Sequence, residues 1–399
     1  MAIRPGLAVS TAALVCALLG VGSAEAPRVR AVDARPTRAA IDLGTLGGSS
    51  SAAVAVNDRG IVVGTSETAS GAEHAFTWSR SWGMRDLGTL GGRTSRAVAV
   101  NQRGTVTGVA LRADGAERAF VWTPGHGMRD LGTLGGRGST AVAINDHGEV
   151  VGDADTSTQG RRAFRWSARS GMREVVGASS PEATAIDVNN RGEVLGQYRS
   201  AASILRAFVW SPAAGALDIG DLGARYVTVP ADINDRSQVV GFSWVTGGGS
   251  HHAFRWSAKS GMRDLGTGQR SSVPCTFSQA TAINDRGQVV GARVDNDGQN
   301  FCRGVFWSRS ARSTDLRFDP SALSDRGVVV GSTAASFGDP SDEPGVPSDH
   351  AFCQSGRTGR TIDLGQGSAV AVNRRGTVAG SAPVAGGAAH AAVWTCLKR

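Results

Sequence analysis

The sequence predicts an all-β ring of eight four-stranded units, and three observations carry that prediction. The first is a pattern repeated eight times. It runs from an alternating strand ending in Asn through a turn written Asn-Asp-Arg-Gly or close to it, a Val-Val-Gly strand and a His/Arg-Ala-Phe-x-Trp strand to a Gly-Met-Arg-Asp-Leu-Gly segment. The second is the period. The position ending the first strand falls at Asn57, Asn101, Asn145, Asn189, Asn234, Asn284, Ser324 and Asn373, so copies are 40–50 residues apart, the range of four-stranded repeat units. The third is the way the ends fit together. The last copy stops after its third strand, near Trp394, whereas the chain opens with an orphan fourth strand at Ala40-Ile41-Asp42-Leu43-Gly44. Laid beside the last copy, that strand completes the eighth unit and removes the exposed edge an open array would leave. The predicted fold is an eight-bladed β-propeller, four antiparallel strands per blade, closed by the N-terminal strand.

Along the chain, residues 1–26 read as a signal peptide. Arg4 gives the positive start, Leu7 to Gly22 the apolar stretch and Ala24-Glu25-Ala26 the cleavage pattern. The expected destination is secreted, extracellular. No later stretch is as apolar, so no membrane span is expected. Residues 27–39 read as a flexible lead-in and 40–399 as the single propeller domain.

Within the second copy, Ala97 to Val100 alternates and stops at Asn101-Gln102-Arg103-Gly104, where Gly tolerates the positive φ of a tight turn. Thr105 to Val109 returns, and Asp114-Gly115 marks a hairpin. Arg118 to Trp122 is the third strand and Met128 to Leu131 the fourth. Helical periodicity is absent. Small Ala and Val suit the crowded axis. The Trp of the third strand is expected to fill the widening gap between blades, at about 4 kcal/mol each if fully buried. Gln354 replaces it in the seventh copy, where looser packing is expected.

The chain has 42 Lys and Arg against 34 Asp and Glu, a net charge of +8. The arginines recur singly at equivalent turn and strand positions and form no basic run, so nucleic acid is not an expected partner. Setting aside Cys16 of the leader leaves Cys275, Cys302, Cys353 and Cys396, an even number that suits disulfides in an exported chain. Cys275 and Cys302 fall at the same end of one blade, which pairs them and leaves Cys353 with Cys396.

Two polar positions recur in every copy. His74, Arg118, Arg162, Arg206, His252, Arg303, His350 and His390 stand four residues before the Trp position. Asp42, Asp86, Asp130, Glu174, Asp218, Asp264, Asp315 and Asp363 stand in the fourth strand. Eight equivalent pairs read as internal hydrogen bonds fixing strand ends, since catalysis needs a unique constellation. No nucleophile elbow, zinc-protease helix or phosphate loop occurs.

These motifs, with His-Ala-Phe at residues 74–76 and 350–352 among Asn-Asp-Arg-Gly and Asp-Leu-Gly-Thr-Leu-Gly-Gly segments, resemble the HAF-type family of extracellular bacterial repeats. The resemblance spans residues 40–396. It implies export and repetition, with no defined activity or catalytic residue. Ser237, Ser324, Gln354 and Ala392 depart from the pattern.

The irregularities point to function. In a propeller the loops between strands two and three and those between blades share a face, and the insertions at 244–250, 267–278, 293–301 and 333–349 are all of these kinds. They predict a working face on blades five to seven. Its candidate binding residues are Trp244 and Phe337, which could stack on a sugar, and Asp295, Asp297, Asp339, Asp342, Glu343 and Asp349. The acidic loops are one place for Ca²⁺ through oxygen ligands; otherwise no cofactor or metal is expected. The expected function is a monomeric, exported binding module for a glycan, cell-wall polymer or protein, without catalysis. The alternative is a secreted glycan hydrolase or lyase using carboxylates such as Asp295 and Asp339.

Overall fold

The computed structural model describes residues 39–158, 160–175, 183–246, 250–267, 277–295, 301–333, 350–356 and 359–396. The leader and most of the lead-in therefore lie outside the described residues. Eight four-stranded antiparallel sheets succeed one another along the chain. Blade one comprises Gly47–Val56, Val62–Thr68, Glu73–Ser79 and Gly83–Asp86, and the others follow the same order.

The eighth blade closes the ring. Its strands Ser368–Val372, Thr377–Pro383 and Ala389–Thr395 are completed by Ile41–Asp42. Ile41 faces Val393 and Asp42 faces Ala392, and the Leu43 amide donates to the Ala391 carbonyl at 2.9 Å. Leu43, Ala53 and Phe76 pack against Ala379, Ala391 and Val393 in one buried cluster. Chain start and chain end thus share a core as well as a sheet.

Every junction between neighbouring blades holds its own hydrophobic cluster. The motif Phe carries more of this packing than the Trp two residues later. Phe76, Phe120, Phe164, Phe208 and Phe254 are completely buried, while Trp78, Trp122 and Trp210 are only partly so. At the seventh blade Gln354 is buried as well, because it trades apolar contact for hydrogen bonds to the Gly356 carbonyl and the Thr361 hydroxyl. The Cys353–Cys396 disulfide forms as expected and ties blade seven to blade eight. Cys275 lies outside the described residues, so the other expected bridge does too.

One glycine is demanded by geometry in every blade. The first strand bulges near its end, between Ala53 and Ala55 in blade one and at the matching place elsewhere. The carbonyl just before each bulge lies over the Gly of Val-Val-Gly. A Cβ added at Gly64, Gly152 or Gly241 would sit 1.9, 1.9 or 2.1 Å from that oxygen. No side chain fits there without moving the inner strand.

A serine clips adjacent blades. Where the fourth strand ends at Asp-Leu-Gly, the third-strand Ala loses its next backbone partner. Ser95 of blade two fills the gap, accepting from the Ala75 amide at 2.9 Å and donating to the Gly88 carbonyl at 2.6 Å. Ser51 does the same for Ala391 and Gly44 across the closure.

Two stability experiments follow from this packing. Deleting residues 39–44 removes about three backbone hydrogen bonds and opens a core cluster, so the melting temperature should fall by about 5 °C or more; an unchanged midpoint in calorimetry contradicts closure by this strand. Gly152→Ala should cost about 3 kcal/mol through the carbonyl clash, read from the urea midpoint at constant m.

Candidate functional site

Three places in the ring bring chemistry together, and the first is the loop face at the junction of blades five and six. Trp244 lies within strand Val239–Val245, one turn of pleat from Phe242 on the same side. It was expected in an inserted loop; instead it pairs across the sheet with His251. The His251 ring centroid is 4.6 Å from Phe242, 4.9 Å from Phe277 and 5.9 Å from Trp244. Phe277 opens the first strand of blade six, so the cluster bridges two blades. His251 is 8% exposed and makes no hydrogen bond among the described residues. Burial, with the neighbouring His252 charge, pushes it down to about 4. It is neutral at physiological pH, and the patch is an uncharged aromatic surface with one imidazole.

Asp295 closes the second strand of blade six, opposite Phe301. Asp297, Phe337, Asp339, Asp342, Glu343 and Asp349 lie outside the described residues, and with them the acidic loops that suggested Ca²⁺. Among the described residues no three His, Cys, Asp or Glu side chains converge as metal ligands.

The second place is the axis on the opposite, turn face. Each turn Asn works in two directions. Asn101 Oδ1 accepts from the Arg103 and Thr105 amides of its own turn, and its Nδ2 donates to the Asn145 carbonyl of the next blade at 3.0 Å. The same inter-blade bond recurs from Asn57, Asn145, Asn189, Asn234, Asn284 and Asn373. Ser324 lacks the amide and only accepts from its own Val328 amide.

A second ring lies beside the first, and sequence reading missed it. The residue after the Asn accepts from the backbone amide of the corresponding residue in the preceding blade. Asp146 takes the Gln102 amide at 2.8 Å, Asn190 the Asp146 amide at 2.8 Å and Asp235 the Asn190 amide at 2.7 Å. Where the ring lapses between blades seven and eight, Arg374 Nε reaches Asp325 Oδ2 at 2.8 Å. The signal was present as an Asp, Asn or Gln after the Asn in seven copies, but it reads as ordinary turn preference. Together the rings line a cavity of about 240 Å³ with a floor of Val100, Ile144, Val188, Ile233 and Ile283. Burial, then the charges of Asp325 and Asp235, push Asp285 up.

The third place is the wall of the axis in blades four and five. Asp187 and Asp232 stand where other blades bulge on Ala, and their carboxyl groups hydrogen-bond to one another. Burial raises both, and the Asp187 charge raises Asp232 further, well above the usual carboxylate range. Asp187 also accepts from the Val188 amide and Asp232 from the Ile283 amide, each at 2.8 Å. These bonds satisfy bulge amides. The pair is therefore part of the scaffold.

The recurring basic and acidic residues pair as expected in seven blades, at 2.7–3.7 Å, from His74 with Asp86 round to His390 with Asp42. In blade six Arg293, directly opposite Arg303 in the register, pairs with Asp315, and the Arg303 side chain lies outside the described residues. Each fourth-strand Asp in blades one and two also accepts from the Gly amide two residues on, at 2.7 and 2.8 Å, so the pairs pin the start of the connection to the next blade.

Burial also pushes Asp153 and Asp319 up to about 6. A carboxyl raised on folding binds its proton more tightly in the native state, so the contribution of these two groups to stability is greatest below about pH 4, falls between about pH 4 and 6, and is level above. Asp153→Asn should remove that part of the slope and stabilise the protein at pH 7 by about 2 kcal/mol. Urea unfolding at pH 4, 5, 6 and 7 tests it, and a wild-type slope in the variant refutes the assignment.

No protein family and no curated protein matches the chain in sequence. Solved structures do match in shape. Dipeptidyl peptidase 4 from Porphyromonas gingivalis aligns with a TM-score of 0.52 at 10% identity, over 78% of this chain and 51% of that one. The β-propeller domain of the Trilobed protease from Pyrococcus furiosus has a TM-score of 0.44 at 9% identity, covering 65% and 81%. The BP39L lectin from Burkholderia pseudomallei has 0.39 at 9%, covering 89% and 97%. This chain spans about half the length of the dipeptidyl peptidase. At such identity the likeness is one of fold, and the fold is the eight-bladed β-propeller.

Proposed function

We propose that this chain is an exported HAF-type repeat protein serving as a binding module, whose partner is a glycan, cell-wall polymer or protein met on the loop face of blades five to seven. One observation supports the reading above the others: Trp244, Phe242 and Phe277 gather around His251 where the connection from Asp264 enters blade six at Phe277. Flat aromatic surfaces stack on the apolar faces of sugar rings and anchor protein partners with little entropic loss. A neutral imidazole inside such a patch adds a hydrogen-bonding group without a charge to desolvate. The ring beneath is rigid, because each blade bonds to the next through both backbone and side chain, and a preformed surface loses less entropy on binding.

A glycan and wall-polymer array, run with and without Ca²⁺, tests this reading. At least one immobilised polymer should be retained, and Trp244→Ala should weaken it about tenfold with the melting temperature unchanged. Equal retention by the variant would falsify the assignment of this face.

A further inference from the structure

The arginines that look scattered in sequence are gathered on one face in space. The third residue of every first-to-second-strand turn is basic and exposed, Arg in seven blades and His147 in the third. These turns all emerge on the face opposite the aromatic patch, so the +8 net charge is presented partly as a ring around one end of the axis.

At one junction the ring becomes a site. Only blades three and five carry Arg between the motif Phe and Trp, at Arg165 and Arg255. In blade three Glu149 of the neighbouring strand pairs with Arg165. The matching residue in blade five is Gln238, which accepts from Asn234 Nδ2 at 3.0 Å as Glu149 accepts from Asn145 at 2.9 Å. The carboxylate that neutralises the first arginine is therefore missing beside the second. Arg255 is half-buried and donates to the Gly287 carbonyl of blade six at 2.9 Å. It has no carboxylate partner among the described residues. Its charged neighbours have its own sign: Arg263 lies directly opposite in the sheet, and Arg309 of blade six passes the same turn. Burial first, then Arg263 and Arg309, hold the Arg255 guanidinium below its ordinary range. Three guanidinium groups converge here with no carboxylate paired to them among the described residues, and like charges held together in a folded protein are stabilised by an external anion.

We propose that Arg255, Arg263 and Arg309, at the junction of blades five and six on the turn face, bind the sulfate or phosphate groups of an anionic polysaccharide. Guanidinium forks match tetrahedral oxyanions in bidentate geometry, and a ring of further arginines extends the contact to neighbouring groups of a polymer. Polysaccharide is favoured over nucleic acid on two grounds. The Cys353–Cys396 disulfide belongs to an oxidising compartment. A stacking platform for bases is also lacking at the cluster, since the exposed aromatic among the described residues is Trp82, at 41%, in blade one. This face is distinct from the aromatic one, so the two proposals stand or fall separately.

The test measures binding of the full chain to dextran sulfate, dextran phosphate and a DNA duplex by calorimetry at fixed ionic strength. Gln238→Glu recreates the blade-three arrangement that this molecule already folds around. It should weaken binding of the sulfated or phosphorylated dextran about tenfold while leaving the melting temperature equal or higher. Arg263→Gln with Arg309→Gln, both exposed, should weaken it similarly. Arg96→Gln with Arg112→Gln, on the loop face, should stay within about twofold, and Trp244→Ala should have no effect. The preferred dextran identifies sulfate or phosphate as the recognised group. Equal loss in the loop-face variant would show attraction to net charge alone, and tighter binding of the duplex than of either dextran would show the wrong polymer. Either result overturns the proposal.

Discussion

The turn asparagine governs this molecule. A propeller has no central post; its blades stay in register only if each inner strand is tied to the next. Asn supplies both an acceptor for its own turn and a separate donor for the neighbour; an ionised Asp has no donor, and the one short hydroxyl of Ser cannot span both partners. Seven such bonds run round the axis, each about 1 kcal/mol net. They cooperate because every tie positions the next donor. At Ser324 the tie is lost, and there the structure adds Arg374 to Asp325 and the Cys353–Cys396 disulfide. Blade seven, weakest by sequence, is thus reinforced from blade eight.

This constraint also explains where variation is allowed. The turn that holds the asparagine carries a second residue bonded around the axis, so an insertion there would break two rings at once. The connections on the other face carry no such obligation. Length therefore accumulates between strands two and three and between blades, on the face that the axis does not control.

Most of the scaffold was legible in the residues. The orphan strand at Ile41 found its place on the last blade because a missing fourth strand and an extra one are complementary statements about the same ring. Cys353 and Cys396 were paired by elimination, and the structure joins them across neighbouring blades from the third strand of blade seven to the residue just past the third strand of blade eight. What stayed hidden was contact across a repeat. Asp146 and Gln102 are 44 residues apart, and either one alone is a normal turn residue. The Arg293–Asp315 pair escaped sequence reading because Arg293 stands on the second strand, outside the repeated basic position. Trp244 was assigned to a loop because the strand runs one pleat further than its motif. The Gly of Val-Val-Gly was seen as part of a strand, but its cause is a bulge in another strand, which no local pattern announces.

Symmetry itself separates scaffold from function. A feature present in all eight blades, such as the basic and acidic pair in the third and fourth strands, must serve what all blades share, which is closure. A feature present in one or two blades has no such duty and carries a cost that closure does not offset. Arg255 without a carboxylate partner and His251 without a side-chain hydrogen bond among the described residues, and the Asp187–Asp232 pair, all fall in blades four and five. Each departs from what the equivalent position does in most other blades. Violations that persist beside intact copies of the same motif, as Gln238 does beside Glu149, mark positions where the fold had a better answer available and does not use it. The departures from eight-fold repetition are for this reason most telling in blades four and five, where the repeat's own solution is set aside.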